Sequence, residues 1–380
     1  MGLNHEAAAW YPAAHGYDRK MRPVSLGPQT SEADTSPTPS VAAVAVEFPR
    51  YQVDQQEALS GLTGFGGPQF DRFAASAGVQ KRRIALPLPQ YGKLSGFTEA
   101  NDIFIATAID LGERALRAAL DAAKVKPAEV DIVFSTTVTG LAVPTLEARL
   151  AARIGFRQDV KRVPLFGLGC VAGAAGVARM HDYLLAFPDH VSVLLAVELC
   201  SLTLQRDDYS IANLVAASLF GDGAAAVVAK GSANAPAGPR VLATRSRLYP
   251  DSEDVMGWDI GSSGFKIKLS TEVATVAEKY LGEDVRNFLS DHGLTPADIA
   301  TWVCHPGGPK VIEAVENTLD LPADALDHTR NSLRDNANLS SVSVLDVLRA
   351  NMADPPPPGS FGLMIAMGPG FCSELVLLGW

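Results

Sequence analysis

Short apolar runs alternate with stretches of helical spacing along most of this chain, and that alternation constrains the fold more than any other feature. "VAAVAVEFP" reads as a strand. "ANDIFIATAIDLGERALRAALDAAKV" carries apolar residues at helical spacing through Ile105, Ile109, Leu116 and Leu120. "AEVDIVFSTT", "KRVPLFGLG" and "HVSVLLAVELCS" read as strands, with helices "PTLEARLAARIGF" and "CVAGAAGVARMHDYLLAF" between them. "ANLVAASLFGDGAAAVVAK" reads as helix, turn and strand. The pattern then repeats. "STEVATVAEKYLGEDVRNFLSDHG" is helical, "IATWVCHPGG" a strand ending in a loop, and "PKVIEAVENTLDL" and "NLSSVSVLDVLRANM" helices. "SFGLMIAMGPGFCSELVLLGW" closes the chain as two strands around a glycine turn. Alternation of this kind predicts an α/β fold whose sheets are covered by helices.

With 380 residues, one duplicated unit or two domains is expected. The loop-like "GSANAPAGPR" marks the join, giving halves 41–235 and 236–380. "FGDGAAAVV" and "MGPGFCSELVLL", near the ends of the two halves, share a cadence that hints at duplication. Residues 1–40 read as a loosely attached tail, because "GPQTSEADTSPTPS" is too polar to repay ordering. The net charge of −10 argues against nucleic acid or an anionic membrane as the main partner. No signal peptide is read at the N-terminus, and the apolar stretch Leu165 to Ala178 is too short to span a bilayer. The four cysteines form no CxxC pair, so neither zinc nor a disulfide framework is expected. A cytoplasmic protein follows from these points.

Three residues stand at element boundaries. Cys170 lies where a strand ends and a helix begins, at a helix N-terminus that favours a thiolate. A free cysteine is also commonly just a small buried apolar residue. His305 ends an apolar strand just before the backbone breaks at Pro306-Gly307-Gly308-Pro309, and α/β proteins place sites at such strand ends. A histidine with its bonds satisfied at a loop mouth is the alternative. His181, His190, His292 and His328 are expected to be solvated. Asn338 precedes an apolar helix, where an asparagine is ordinarily the N-cap.

Cys, His and Asn in this order, with "GLGCVAGAAGVARMHDYL", "VELCSLT", "LFGDGAAAVV", "HPGGPKVIEAVE", "NLSSVSVLDVL" and "GPGFCSELVLL", resemble the type III polyketide synthases, the chalcone synthase superfamily. The resemblance runs from about residue 41 to Trp380. It implies the thiolase fold, a duplicated five-layer αβαβα sandwich. It implies acyl transfer to Cys170, then decarboxylative Claisen condensation with malonyl-CoA or methylmalonyl-CoA, with His305 and Asn338 stabilising the enolate. CoA thioesters are the substrates, with no cofactor and no metal, in a homodimer. Phe220 and Phe265 fall on the gatekeeper phenylalanines. Lys81, Arg82 and Arg83 match the family's basic segment at the tunnel mouth, suited to CoA phosphates, and Lys310 beside the histidine loop is expected to assist.

Departures from the plant enzymes narrow the substrate. Met256 stands where chalcone synthase has glycine. Val143 stands for a methionine that reaches the partner subunit's cavity, and Met367, ahead of Gly368-Pro369, for a phenylalanine. Cys200, Thr203 and Ser340 match cavity-lining positions. A sulfur-lined apolar cavity suits a flexible alkyl chain. "LPLPQYGKLSGFTEANDIFI" and "LYPDSEDVMGWDIGSSG" look like the actinobacterial alkylpyrone-forming branch. The expected reaction is therefore extension of a medium- to long-chain fatty acyl-CoA and closure to an alkyl-α-pyrone. An alkylresorcinol-type aldol product, a ketoacyl synthase III-like single condensation and an inactive acyl-CoA-binding scaffold are the alternatives.

Overall fold

The structure is a computed structural model that describes residues 38–61, 68–234, 238–270 and 272–380. Most of the proposed N-terminal tail and part of the join at 231–240 lie outside the described residues. The first half runs β1 (Ser40–Glu47), β2 (Tyr51–Asp54), α1 (Gln55–Gly61), α2 (Pro68–Ser76), β3 (Lys81–Ile84), α3 (Leu88–Tyr91), α4 (Phe97–Ala123), β4 (Ile132–Thr136), α5 (Leu146–Ile154), β5 (Lys161–Leu165), α6 (Ala172–Ala186), β6 (Val191–Leu199), α7 (Ile211–Leu219) and β7 (Asp222–Lys230). The second runs β8 (Arg240–Leu248), β9 (Met256–Gly261), β10 (Gly264–Leu269), α8 (Val273–Ser290), β11 (Ile299–Cys304), α9 (Pro309–Leu319), α10 (Asp327–Asn336), α11 (Ser343–Ala353), β12 (Phe361–Gly368) and β13 (Cys372–Gly379).

Nine strands form one sheet in the order β11-β12-β13-β8-β1-β7-β6-β4-β5. Strands β1 and β8 meet through the pair Ser40 and Arg240, so the sheet is two half-sheets joined at one end. Each half-sheet has the same plan. Parallel β4 and β6 are followed by antiparallel β7 and β1. Parallel β11 and β12 are followed by antiparallel β13 and β8. The first half adds β5 beyond β4. Strands β7 and β13, which carry the two similar loops, hold equivalent places.

Strand side chains alternate between faces, and three apolar clusters sort them. Val133, Leu195, Val197, Ala224 and Ala226 pack against α4 and α5. Their neighbours Ile132, Phe134, Leu194, Ala196 and Ala225 face the other way, onto α6 and α11. Met364, Ala366, Val376 and Leu378 of the second half join that same central cluster. Leu363, Ile365, Leu375 and Leu377 turn outward onto α8 and α9. The result is the five-layer thiolase sandwich, with α6 and α11 as its middle layer. Covered on both sides, the first half of α6, Ala172–Ala178, is apolar and small-residued all round. A Cβ at Gly173 of α6 would lie 2.2 Å from the Ser341 carbonyl oxygen, so only glycine permits this approach of the two halves. His181, expected in solvent, is instead buried on α6. Among the described residues no helix is long and apolar enough to cross a membrane.

Candidate active site

Three chain segments converge where the middle layer meets the strand ends. Parallel β5 delivers Cys170 onto a short 3-10 turn, Gly169–Val171, which leads into α6. Parallel β11 ends at Cys304, placing His305 at its C-terminal end. Asn338 follows α10 and precedes a second 3-10 turn, Ser340–Val342, which leads into α11. All three side chains are buried and line one cavity of about 850 Å³.

Their hydrogen bonds set their roles. The Cys170 thiol donates to Ser340 Oγ at 3.6 Å. Asn338 Oδ1 accepts the Ser340 amide at 2.8 Å, an Asx turn rather than a helix cap. That bond fixes the amide group, so Nδ2 faces the histidine loop, 3.5 Å from the Gly307 carbonyl oxygen. Both ring nitrogens of His305 are buried without a protein partner. They are therefore free for a ligand in the cavity.

Burial works against the helix-terminus thiolate expected from the sequence. Burial pushes the Cys170 thiol up to about 12; the Ser340 hydrogen bond opposes this, and the nearby Glu198 charge adds to it. Burial alone draws His305 down to about 4. Both shifts favour the uncharged thiol and the uncharged imidazole in this cavity.

Cys200, Thr203, Phe220, Met256, Ser340, Met367, Pro369 and Lys310 line the same cavity. Other expected site residues lie elsewhere. Phe265 packs edge-on against Phe97 and Trp258 and lines a second hollow of about 520 Å³, which shares Tyr91, Thr139, Ser201 and Leu204 with the first. Gly368 is outside the cavity and pressed on the nucleophile turn, since a Cβ there would lie 2.5 Å from the Leu168 carbonyl oxygen. Val143 is 94% exposed and does not line this chain's cavity.

The basic run divides three ways. Lys81 pairs with Asp335 at 3.5 Å, and Arg83 lies over the Phe48 ring. Arg82 is at the cavity wall, but its guanidinium is committed to main-chain carbonyls rather than free for phosphate. Arg72, which no sequence signal marks, lines the cavity with Lys310. Glu198 was also missed. It is fully buried, accepts from the hydroxyls of Ser341 and Thr139 and the Val138 amide, and is held up to about 7 by burial. An acidic residue inside the otherwise apolar run "HVSVLLAVELCS" was its signal.

Residues 87–233 match the N-terminal domain of chalcone and stilbene synthases, and residues 240–379 match their C-terminal domain. The chain belongs to the chalcone and stilbene synthase family. It is a type III polyketide synthase, a condensing acyltransferase. It is 51% identical over 373 residues to a 1,3,6,8-tetrahydroxynaphthalene synthase of Streptomyces peucetius subsp. caesius, covering 96% of this chain and 98% of that one. A putative chalcone synthase of Bacillus subtilis (strain 168) is 34% identical over 358 residues, with 90% and 98% covered. Among solved structures, 1,3,6,8-tetrahydroxynaphthalene synthase from Streptomyces coelicolor A3(2), a bacterial type III polyketide synthase, superposes with a TM-score of 0.86. It is 28% identical, covering 90% of this chain and 99% of its own.

Proposed function

We propose that this type III polyketide synthase primes with a medium- to long-chain fatty acyl-CoA, extends it with malonyl-CoA and closes an alkyl-α-pyrone. The supporting observation is one cavity that holds Cys170, His305 and Asn338 together with an apolar wall including Leu204, Val215, Phe220, Met256, Trp258 and Met367. An alkyl chain gains roughly 0.8 kcal/mol per buried methylene in such a space.

The steps follow from the donors present. The Cys170 sulfur attacks the acyl-CoA carbonyl as its proton passes to His305; the CoA thiol takes that proton as it leaves. Malonyl-CoA then sheds CO2, and the electron pair of the broken bond becomes an enolate. His305 and the Asn338 Nδ2 donor stabilise the enolate oxygen, a charge absent before CO2 departs. The enolate carbon attacks the Cys170 thioester, forming the carbon–carbon bond and expelling the Cys170 thiolate, which takes a proton from solvent. The β-ketoacyl-CoA so formed passes its acyl group back to Cys170, releasing the CoA thiol, for the next extension. After two extensions, attack of an enol oxygen on the thioester carbonyl closes the lactone and breaks the C–S bond, and the departing thiol takes the enol proton. Lys310 and Arg72 supply cations for the CoA phosphates. The protein acts as a homodimer on this reading, with the exposed apolar Val143 covered at the junction. Light scattering then gives twice 40.1 kDa, and a stable monomer contradicts it.

A second reading has specific support. The 51% identical relative is a 1,3,6,8-tetrahydroxynaphthalene synthase, which favours an aromatic product. The two separate in one experiment. The protein is given malonyl-CoA alone, then with hexanoyl- to palmitoyl-CoA, and products are identified by mass. Acyl-dependent pyrones support the first reading. A tetrahydroxynaphthalene mass from malonyl-CoA alone, unchanged by the added acyl-CoAs, overturns it.

A further inference from the structure

The C-terminal end of α7 leaves four carbonyls beyond its own ladder, as every α-helix does. Here Asn338, Arg82 and Gln55 share them. The Asn338 amide donates to the Leu219 carbonyl at 2.9 Å, and the Asn338 carbonyl accepts from the Gly221 amide at 2.9 Å. The other three go to one side chain. Arg82 Nη1 donates to the Ala217 and Phe220 carbonyls, both at 2.8 Å, and Nη2 to the Ser218 carbonyl at 2.6 Å. Gln55 completes the set: its carbonyl oxygen accepts from Arg82 Nη2, and its amide donates to the Ser218 carbonyl at 3.0 Å.

We infer that Arg82 is a positioning residue for Asn338. It acts through the helix end that it and Asn338 share, and this rests on the role given to Asn338 above. A planar fork with fixed donors can hold three carbonyls at once, whereas an ammonium cannot reproduce that geometry. The cation also sits at the negative end of the α7 dipole. Arg82 is only 4% exposed, so the carbonyls it leaves have no ready solvent to replace it. Losing the fork lets the Leu219–Gly221 segment shift. The paired Asn338 backbone moves with it, and with that backbone the donor aimed at the enolate. Displacements of about 1 Å are enough to cost on the order of a hundred-fold in rate.

The test separates two half-reactions. CO2 release from malonyl-CoA needs the Asn338 donor; acyl transfer from an acyl-CoA to Cys170 does not. Arg82→Lys should lower kcat for CO2 release at least ten-fold, leaving KM for malonyl-CoA and the acylation rate within two-fold. A parallel fall of both half-reactions, or no fall, overturns the inference. Asn338→Ala is the reference. If it releases CO2 at the wild-type rate, the reading of Asn338 fails; if it is slow and Arg82→Lys is not, only the role of Arg82 fails. Should Arg82→Lys not fold, Gln55→Ala carries the test. It removes one of the four acceptors around the fork and should slow CO2 release about three-fold, and an unchanged rate overturns the inference.

Discussion

Two turns open the two central helices, and their differences show how a duplicated fold becomes an asymmetric catalyst. Leu168-Gly169-Cys170-Val171 leads into α6, and Leu339-Ser340-Ser341-Val342 leads into α11. The first turn residue is left-handed in both, with φ +56° at Gly169 and +52° at Ser340. Glycine takes that conformation freely; serine bears a strain of about 1–3 kcal/mol. The reason for each choice is visible. A Cβ at Gly169 would lie 2.5 Å from Pro369 Cδ, whereas Ser340 uses its side chain to accept the Cys170 thiol. At the next position Cys170 opens onto the cavity, whereas Ser341 turns inward to Glu198 at 2.6 Å. One turn carries the reactive sulfur. The other serves it.

The largest expected break in this comparison comes from the second turn position. Cys170→Ser should lower product formation by on the order of a thousand-fold or more, as loss of a nucleophile does. Ser341→Ala at the equivalent position should stay within about ten-fold of wild type, because its hydroxyl meets no substrate. Equal losses in a product assay would show that the turns are not divided in this way.

Next in size are the left-handed positions. Gly169→Ala adds backbone strain and a clash with Pro369 and should cost about 3 kcal/mol in urea unfolding. Ser340→Gly removes strain and should gain at most about 1 kcal/mol. A Gly169→Ala protein as stable as wild type contradicts the geometry.

Glu198 gives a smaller, pH-dependent effect. Burial raises its carboxyl to about 7, from an ordinary 4.5. Its contribution to stability is full below 4.5 and is lost as pH rises through 7. Ser341 donates to the ionised form, so Ser341→Ala should cost about 1–2 kcal/mol at pH 8 and less at pH 6. A cost independent of pH denies the coupling. Smallest is Ser340→Ala. Iodoacetamide should alkylate wild-type Cys170 faster as pH rises, without a plateau below pH 9, because the thiol sits near 12. Ser340→Ala should slow this about two- to three-fold, because the Ser340 hydroxyl turns to donate to the thiolate as it forms. A wild-type plateau with a midpoint below pH 7 would mean a preformed thiolate.

What the sequence disclosed follows the range of the physics involved. The alternation of strands and helices was legible because their periods are local, and strand ends and glycine breaks marked Cys170 and His305 as candidates. The five-layer arrangement and the choice between their alternatives came only with the family resemblance. Asn338 taken alone read as a cap; only the motif around it suggested more. The Lys81-Arg82-Arg83 run read as one basic patch, yet β3 alternates, so Arg82 points into the protein while its neighbours do not. Phe265 belongs to the hairpin β9–β10, off the main sheet, whose placement depends on distant packing against Phe97. Arg72 had no local mark at all.

Peptide mapping of the acylated protein bears most directly on the central claim, because Cys200 lines the same cavity as Cys170 and competes for the assignment. The protein is mixed with lauroyl-CoA, quenched in acid and digested. The acyl mass is predicted on the Cys170 peptide alone, absent from Cys170→Ala and diminished in His305→Ala. An acyl group on Cys200, or on no cysteine while product still forms, contradicts the account.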